Sequence, residues 1–250
     1  MLYYLVIMLE FDPEKRKTNK LLAGLALALG AKMLGVSIAQ AAQSVDCPIF
    51  MFHGIAPGGA AVDRVIRENA RQGRIPVSVK QLSEIILGEL DVPNKPLFAI
   101  TFDDGLLNQY LYAKPVLDRY EAEATFFIMG GLMDGTWTGD KVHTYMTAEQ
   151  VAYLSNLGYE IGSHTVTHSS LTTLYNQGRH ATLYDEISHS KEKLEAVTDE
   201  EVVSFSYPNG SYNPSIVKVV SGVYKSAVSV LNDTRRQTPN NLYLLRRVRA

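Results

Sequence analysis

Leu97-Phe98-Ala99-Ile100-Thr101-Phe102-Asp103-Asp104-Gly105 is the stretch on which the reading of this chain turns. Its first six residues are apolar or β-branched and predict a buried strand. The run then stops at two adjacent carboxylates and a glycine. Charge at the end of a buried strand is costly unless something pairs with it, and a bound cation is one such partner. The other reading is a turn after the strand, since Asp and Gly are turn residues.

The cation is favoured by a histidine pair further along, in Ser163-His164-Thr165-Val166-Thr167-His168. Fully extended, the two histidines would lie about 13 Å apart at roughly 3.3 Å per residue. That is too far for ligand bonds of about 2 Å. A turn would bring both to one side, and Gly162 before them and Ser169-Ser170 after them suit a loop. Taken alone, H-x-x-x-H is also what two unrelated surface histidines would give. Two imidazoles and one carboxylate leave coordination positions open, as at a catalytic metal and unlike a closed structural site. Such a metal lowers the pKa of bound water and polarises a carbonyl, while a second carboxylate can take the proton. The adjacent aspartates supply one ligand and one base, and a separate acid must protonate the leaving group.

Outward from this stretch, strands and helices alternate. Cys47 to Gly54 reads as a strand ending in His53. Ala61 to Arg71 reads as a helix, and Ser78 as the N-cap of another over Val79–Leu90. Asn108 to Tyr120 is helical, with Pro115 expected to bend or divide it. Ala124 to Met129 is a strand closed by Gly130-Gly131, and residues 132–145 form a loop carrying the sole tryptophan, Trp137. Thr147-Ala148-Glu149-Gln150 has capping-box spacing, so a helix runs to about Leu157 and stops at Gly158. Tyr159 to Ser163 is a strand leading into the histidine pair, and Thr182 to Val197 is a charged helix. Val202 to Tyr207 is a strand ending in Pro208-Asn209-Gly210. Asn213-Pro214 opens a helix that Gly222 ends, and Lys225–Leu231 and Leu242–Val248 are the last two strands. This alternation predicts an α/β fold of parallel strands with helical crossovers. Active groups would gather at the strands' C-terminal ends, as in α/β barrels.

The 250 residues suffice for one large domain or two small ones, and 46% hydrophobic with 20% charged residues suits a sizeable core. A net charge of −2 gives no electrostatic case for nucleic acid or a membrane surface. Cys47 is the sole cysteine, so no intrachain disulfide forms; it is read as a strand-entry residue. Ahead of it, the basic Lys15, Arg16, Lys17 and Lys20 precede the apolar run Leu21–Ala31 and the small-x-small pattern Ala39-Gln40-Ala41. This is the layout of an export signal, too short for a confident membrane span. Its upstream extension is long, with Met8 as an alternative start. Residues 1–41 are therefore expected to be a signal peptide or N-terminal extension and 42–250 the catalytic domain. The mature protein would have no stable membrane span and would be secreted, periplasmic or on the cell surface.

Thr101-Phe102-Asp103-Asp104-Gly105 together with His164-Thr165-Val166-Thr167-His168 resembles the first two motifs of the polysaccharide deacetylase family, carbohydrate esterase family four. Phe205-Ser206-Tyr207-Pro208-Asn209-Gly210 resembles its third, and the likeness covers roughly Cys47 to the C-terminus. It implies a distorted seven-stranded (β/α) barrel and metal-dependent removal of acetyl groups from acetylated polysaccharide or oligosaccharide. Carried over by position, Asp103 is the base, and Asp104, His164 and His168 hold one divalent metal ion, with zinc favoured by one oxygen and two nitrogen ligands. The backbone N–H of Asn209 helps stabilise the oxyanion. Tyr207, Pro208 and Trp137 are the expected substrate contacts.

Two departures stand out. Ser206 replaces the third motif's arginine, and the family's late leucine-x-histidine motif, which supplies the acid, has no match after His189. Ile49-Phe50-Met51-Phe52-His53 resembles that motif moved to the front, as in circularly permuted poly-N-acetylglucosamine deacetylases. Their ending resembles Leu245-Arg246-Arg247-Val248, which makes Arg247 a candidate for the missing arginine. His53 ends a strand on the face where the motifs gather, and imidazole titrates near neutrality, as an acid for a departing amine should. Other readings are a carbohydrate-binding pseudoenzyme on the same fold and a metal-dependent amidohydrolase of a small amide.

Overall fold

The computed structural model describes residues 41–230 and 236–250. The basic and apolar N-terminal segment expected to direct export lies almost wholly outside them. Strand β1 is Val45–Asp46 and β2 is Ile49–Phe52. Helix α1 (Ala60–Arg71), strand β3 (Ile75–Val77) and helix α2 (Val79–Leu87) lead to β4 (Leu97–Phe102). A π-helical turn, Gln109–Ala113, opens α3 (Lys114–Arg119). Then come β5 (Thr125–Ile128), α4 (Ala148–Asn156), β6 (Glu160–Ser163), α5 (Leu171–Asn176), α6 (His180–Thr198) and β7 (Ser204–Ser206). The chain ends with α7 (Pro214–Ser221), β8 (Ser226–Val228), β9 (Arg236–Gln237) and β10 (Arg247–Arg249).

Seven parallel strands stand in the order β10-β2-β4-β5-β6-β7-β8, and a parallel bridge from Val228 to Leu245 nearly closes the ring. This is the expected distorted (β/α) barrel. Strand β3 lies beside the start of β4, and β1 pairs antiparallel with β9. The first barrel strand in the sequence, β2, is seated between β4 and β10.

Every residue of β4 is buried, because both faces of a parallel strand are covered. Alternation sends Phe98, Ile100 and Phe102 to the helix-covered layer, where Phe102 stacks between Phe52 at 5.5 Å and Phe126 at 4.8 Å. Leu97 and Ala99 join a second cluster, plugged by Leu82, Ile85 and Ile86 of α2. Thr101 and Asp103 continue on that inner side.

The local signals place most elements. Ser78 and Thr147 form the expected capping boxes. Residues 108–120 divide near Pro115 as expected, with a π turn before the α-helix. Two expectations change. Helix α2 stops at Leu87 and not Leu90, because Gly88 takes φ +76° and ends it. The strand expected over Leu242–Val248 is broken into the Leu245 bridge and β10. The buried Gln237 side chain holds both backbone groups of Arg246 and the Cys47 carbonyl, standing in for a neighbouring strand.

Candidate active site

At the C-terminal end of β4 the chain delivers Asp103 to the barrel interior and Asp104 to its mouth. Asp103 is met by Arg247 of β10, which is fully buried. The guanidinium donates two parallel hydrogen bonds of 2.7 Å, from Nη1 to Oδ1 and from Nη2 to Oδ2, the strongest geometry available to this pair. Its remaining donors reach Ser229 O, Thr101 Oγ1 and Ser206 Oγ, and its plane lies over Phe127. Ser206 Oγ in turn donates to Asp103 Oδ2 at 3.2 Å. Ser206 thus leaves room for an arginine from another strand. Burial pushes the Asp103 carboxyl up, but the charge of Arg247, with those of His164 and His53, outweighs it and holds the carboxyl at about 2.

The loop after β6 turns back on itself, as the histidine spacing requires. His164 Nε2 and His168 Nε2 stand 3.4 and 3.5 Å from Asp104 Oδ1. His164 Nδ1 donates to Ser206 O at 2.8 Å; a carbonyl can only accept, so in the neutral ring the lone pair is on Nε2, facing Asp104. Asp104 Oδ1 is sealed from solvent and has no hydrogen-bond partner. A buried carboxylate oxygen left without a donor, beside two imidazole nitrogens, is costly as it stands and matches what a divalent cation needs. The three ligand atoms lie within 4.8 Å of one another, so these residues fit the expected metal. Burial pushes His164 down and the two aspartates more than reverse it; His168 is held below the usual range by burial and by His164.

Among the described residues, four of the six non-glycine residues with positive φ are in this site: Asp104, Thr165, His168 and Asn209. Such backbone costs free energy and persists where the surroundings enforce it. Asn209 is held in the 3-10 turn Pro208–Gly210 beyond β7. His53, exposed, follows β2. A cavity of about 230 Å³ joins His53, Asp103, Asp104, His164, His168 and Asn209.

The three expected substrate contacts are placed elsewhere. Tyr207 is 1% exposed; its ring packs on Phe205 and Tyr212, and burial pushes its phenol well above its usual range. Pro208 is buried beside it, and Trp137 is half-buried against Tyr145. None of the three lines the cavity.

One contributor was not foreseen. Gln109, fully buried in the π turn, donates from Nε2 to both His53 O at 3.0 Å and Asp103 O at 2.5 Å. It ties the ends of β2 and β4 together. The one sequence trace of it is Pro115, which signals a distorted helix there.

The profile described as Polysaccharide deacetylase matches residues 91–223. That span holds Asp103, Asp104, His164, His168 and Asn209, and excludes His53 and Arg247. YxkH of Bacillus subtilis (strain 168), provisionally named a polysaccharide deacetylase, is 29% identical over 213 residues, covering 81% of this chain and 71% of its own. Among solved structures, Streptococcus pyogenes deacetylase PplD in complex with acetate superposes with a TM-score of 0.69 at 23% identity, over 83% of this chain and 92% of that one. IcaB from Ammonifex degensii gives a TM-score of 0.71 at 19% identity, over 82% and 91%. At these identities the two structures speak for the fold.

Proposed function

This chain belongs to the polysaccharide deacetylase family, as a hydrolase of carbon–nitrogen bonds, and we propose that it removes acetyl groups from an N-acetylated polysaccharide at the strand-end site. The observation that carries this reading is the donor-free, buried Oδ1 of Asp104 between two imidazole nitrogens, beside an aspartate clamped by arginine. Asp104, His164 and His168 would hold one divalent cation, with zinc favoured by the donor set. When bound, it would supply Lewis acidity toward an acyl oxygen and toward water.

The protein's own groups do the rest. Arg247 fixes the Asp103 carboxylate in orientation and keeps it ionised, with lone pairs left to accept a proton from water. The backbone N–H of Asn209 would donate to the oxygen on which negative charge develops. His53, on the same cavity, would protonate the amine as it leaves. The family's third-motif arginine is absent at Ser206, and Arg247 stands in for it from β10. We also propose that residues 1–41 direct export, which would place the enzyme near a cell-wall or matrix polymer; a mature N-terminus near Ala42 by mass spectrometry checks this.

The test is acetate release from chitin oligomers, peptidoglycan, poly-N-acetylglucosamine and acetylxylan. Release from at least one N-acetylated polymer is expected, lost on chelation and restored by zinc. Release that survives complete removal of metal would overturn the metal assignment. No release from any polymer, with zinc bound, would leave a binding module.

A further inference from the structure

The loop from His164 to His168 is an expensive one to hold. Thr165 has φ +65° and His168 φ +60°, and a β-branched threonine in the left-handed region is strained. Such a loop must be fixed from outside. On one side, Gly130 N and Gly131 N donate to Thr165 O and Val166 O at 2.9 and 3.0 Å. The approach is so close that a Cβ on Gly131 would stand 2.7 Å from Val166 O, while one on Gly130 would stand 2.7 Å from Ser190 Cα of α6. On the other side lies α6. There Ser190 Oγ donates to Thr165 O at 2.9 Å, and Glu186, one turn earlier on the same helix face, faces the loop with its carboxylate.

We propose that Glu186 is the positioning residue that sets this loop in its metal-binding shape, and so fixes the affinity of the site for its divalent cation. Glu186 is 7% exposed. Its Oε2 accepts from the backbone N–H groups of Val166 and Thr167, both at 2.9 Å. Its Oε1 accepts from Thr167 Oγ1 at 2.6 Å and Ser169 Oγ at 3.2 Å. All four arriving groups donate, and a carboxylate, acceptor-only, matches all four. Among the described residues no lysine or arginine pairs with it, so this buried carboxylate serves the loop and not an ion pair. The loop's two ligands flank the residues it grips: His164 lies two positions before Val166, and His168 sits between Thr167 and Ser169. Groups that orient metal ligands in this way change metal affinity by about 10–100-fold when removed.

This inference rests on the metal reading above, so its test measures metal and not turnover. Full-length protein is stripped and titrated with Zn²⁺ against a chromophoric chelator, then with Co²⁺, whose visible spectrum reports the ligand geometry. Glu186→Leu keeps the bulk and loses all four bonds; its Zn²⁺ dissociation constant is expected to rise about 10–100-fold, with a changed Co²⁺ spectrum. Glu186→Gln should bind nearly as wild type, because its amide oxygen can take both backbone N–H groups while its N–H₂ donates to two hydroxyls that also accept. A packing role alone would not be rescued by Gln while failing with Leu. Should Glu186→Leu not fold, Thr167→Val combined with Ser169→Ala removes two of the four bonds from the loop side and should weaken Zn²⁺ binding severalfold. Unchanged Zn²⁺ affinity in the folded Leu variant, or in that double variant, overturns the proposal. Wild-type protein that takes up no Zn²⁺ overturns the metal reading and this inference together.

Discussion

Two carboxyls sit enclosed at opposite ends of the barrel, and they are handled in opposite ways. Asp103, at the C-terminal strand ends, faces an arginine and is held down at about 2. Glu160, at the start of β6, has no arginine against it among the described residues; the Lys80 backbone N–H at 2.9 Å and Thr125 Oγ1 at 2.7 Å donate to its Oε2. Burial therefore pushes Glu160 above its ordinary value, against partial relief from Ser204, Thr125 and Lys80. The Glu160 end holds the larger cavity, about 630 Å³ and ringed by Glu84, Glu123, Glu200 and Glu201, against about 230 Å³ at the Asp103 end. What separates the ends is whether the upward push of burial on an acid is overruled by a fixed cation or only partly relieved by neutral donors.

The hardest blow to the Asp103 end is Asp103→Asn. It should keep zinc yet lose about 10²–10⁴-fold in acetate release, the usual scale for a missing general base; loss of zinc would mean the two aspartates are wrongly assigned. Next, Arg247→Leu leaves a buried carboxylate without its partner and should cost about 3–5 kcal/mol in urea unfolding. A variant as stable as wild type would show that the contrast with Glu160 has no energetic content. Gln109→Leu should be milder. It strands two backbone carbonyls, for about 1–3 kcal/mol of stability and a drop in turnover of about tenfold from the loosened strand ends, and unchanged kcat would confine Gln109 to packing.

The smallest effect sharpens the contrast. Asp103, lowered from 3.8 to about 2, contributes stability that is present above about pH 4 and lost as pH falls toward 2. Glu160, raised above 4.5, binds its proton more tightly when folded, so stability falls as pH rises past 4.5. Glu160→Gln should remove that decline and leave the acid limb untouched in urea midpoints measured from pH 3 to 8. An unchanged slope above pH 5 would show that Glu160 is ionised without penalty.

Strand β4 was legible because a strand covered on both faces is an uninterrupted apolar run, and the cluster of Asp104, His164 and His168 because its members follow the ends of such runs. Tyr207 was misplaced by neglect of alternation: if Ser206 faces Asp103, its neighbour on the strand must face the helices. Arg247 was harder. Arg246, Arg247 and Arg249 look alike as letters, and only register makes Arg247 fully buried while Arg249 is exposed. Glu186 left no trace, and Gln109 only the indirect one of Pro115, since a polar residue within a helix reads as solvated. The short helix α5, rich in threonine, and the three-residue β3 lacked the periodicity that reveals an element.

The pairing of Asp103 with Arg247 joins residues 144 positions apart. During synthesis β4 emerges long before β10, so the growing chain holds Asp103 at the end of an apolar strand with no counter-charge. Contacts of such long separation form late and slowly. Until β10 pairs with β2, Asp103 lacks the cation that holds its carboxyl down. The carboxyl can wait protonated or in water, and docking of β10 then expels the proton or the solvent. Closure of the barrel and ionisation of Asp103 are in this way one event, and a chain that stalls before β10 carries that carboxyl without its counter-charge and a barrel wall open to aggregation.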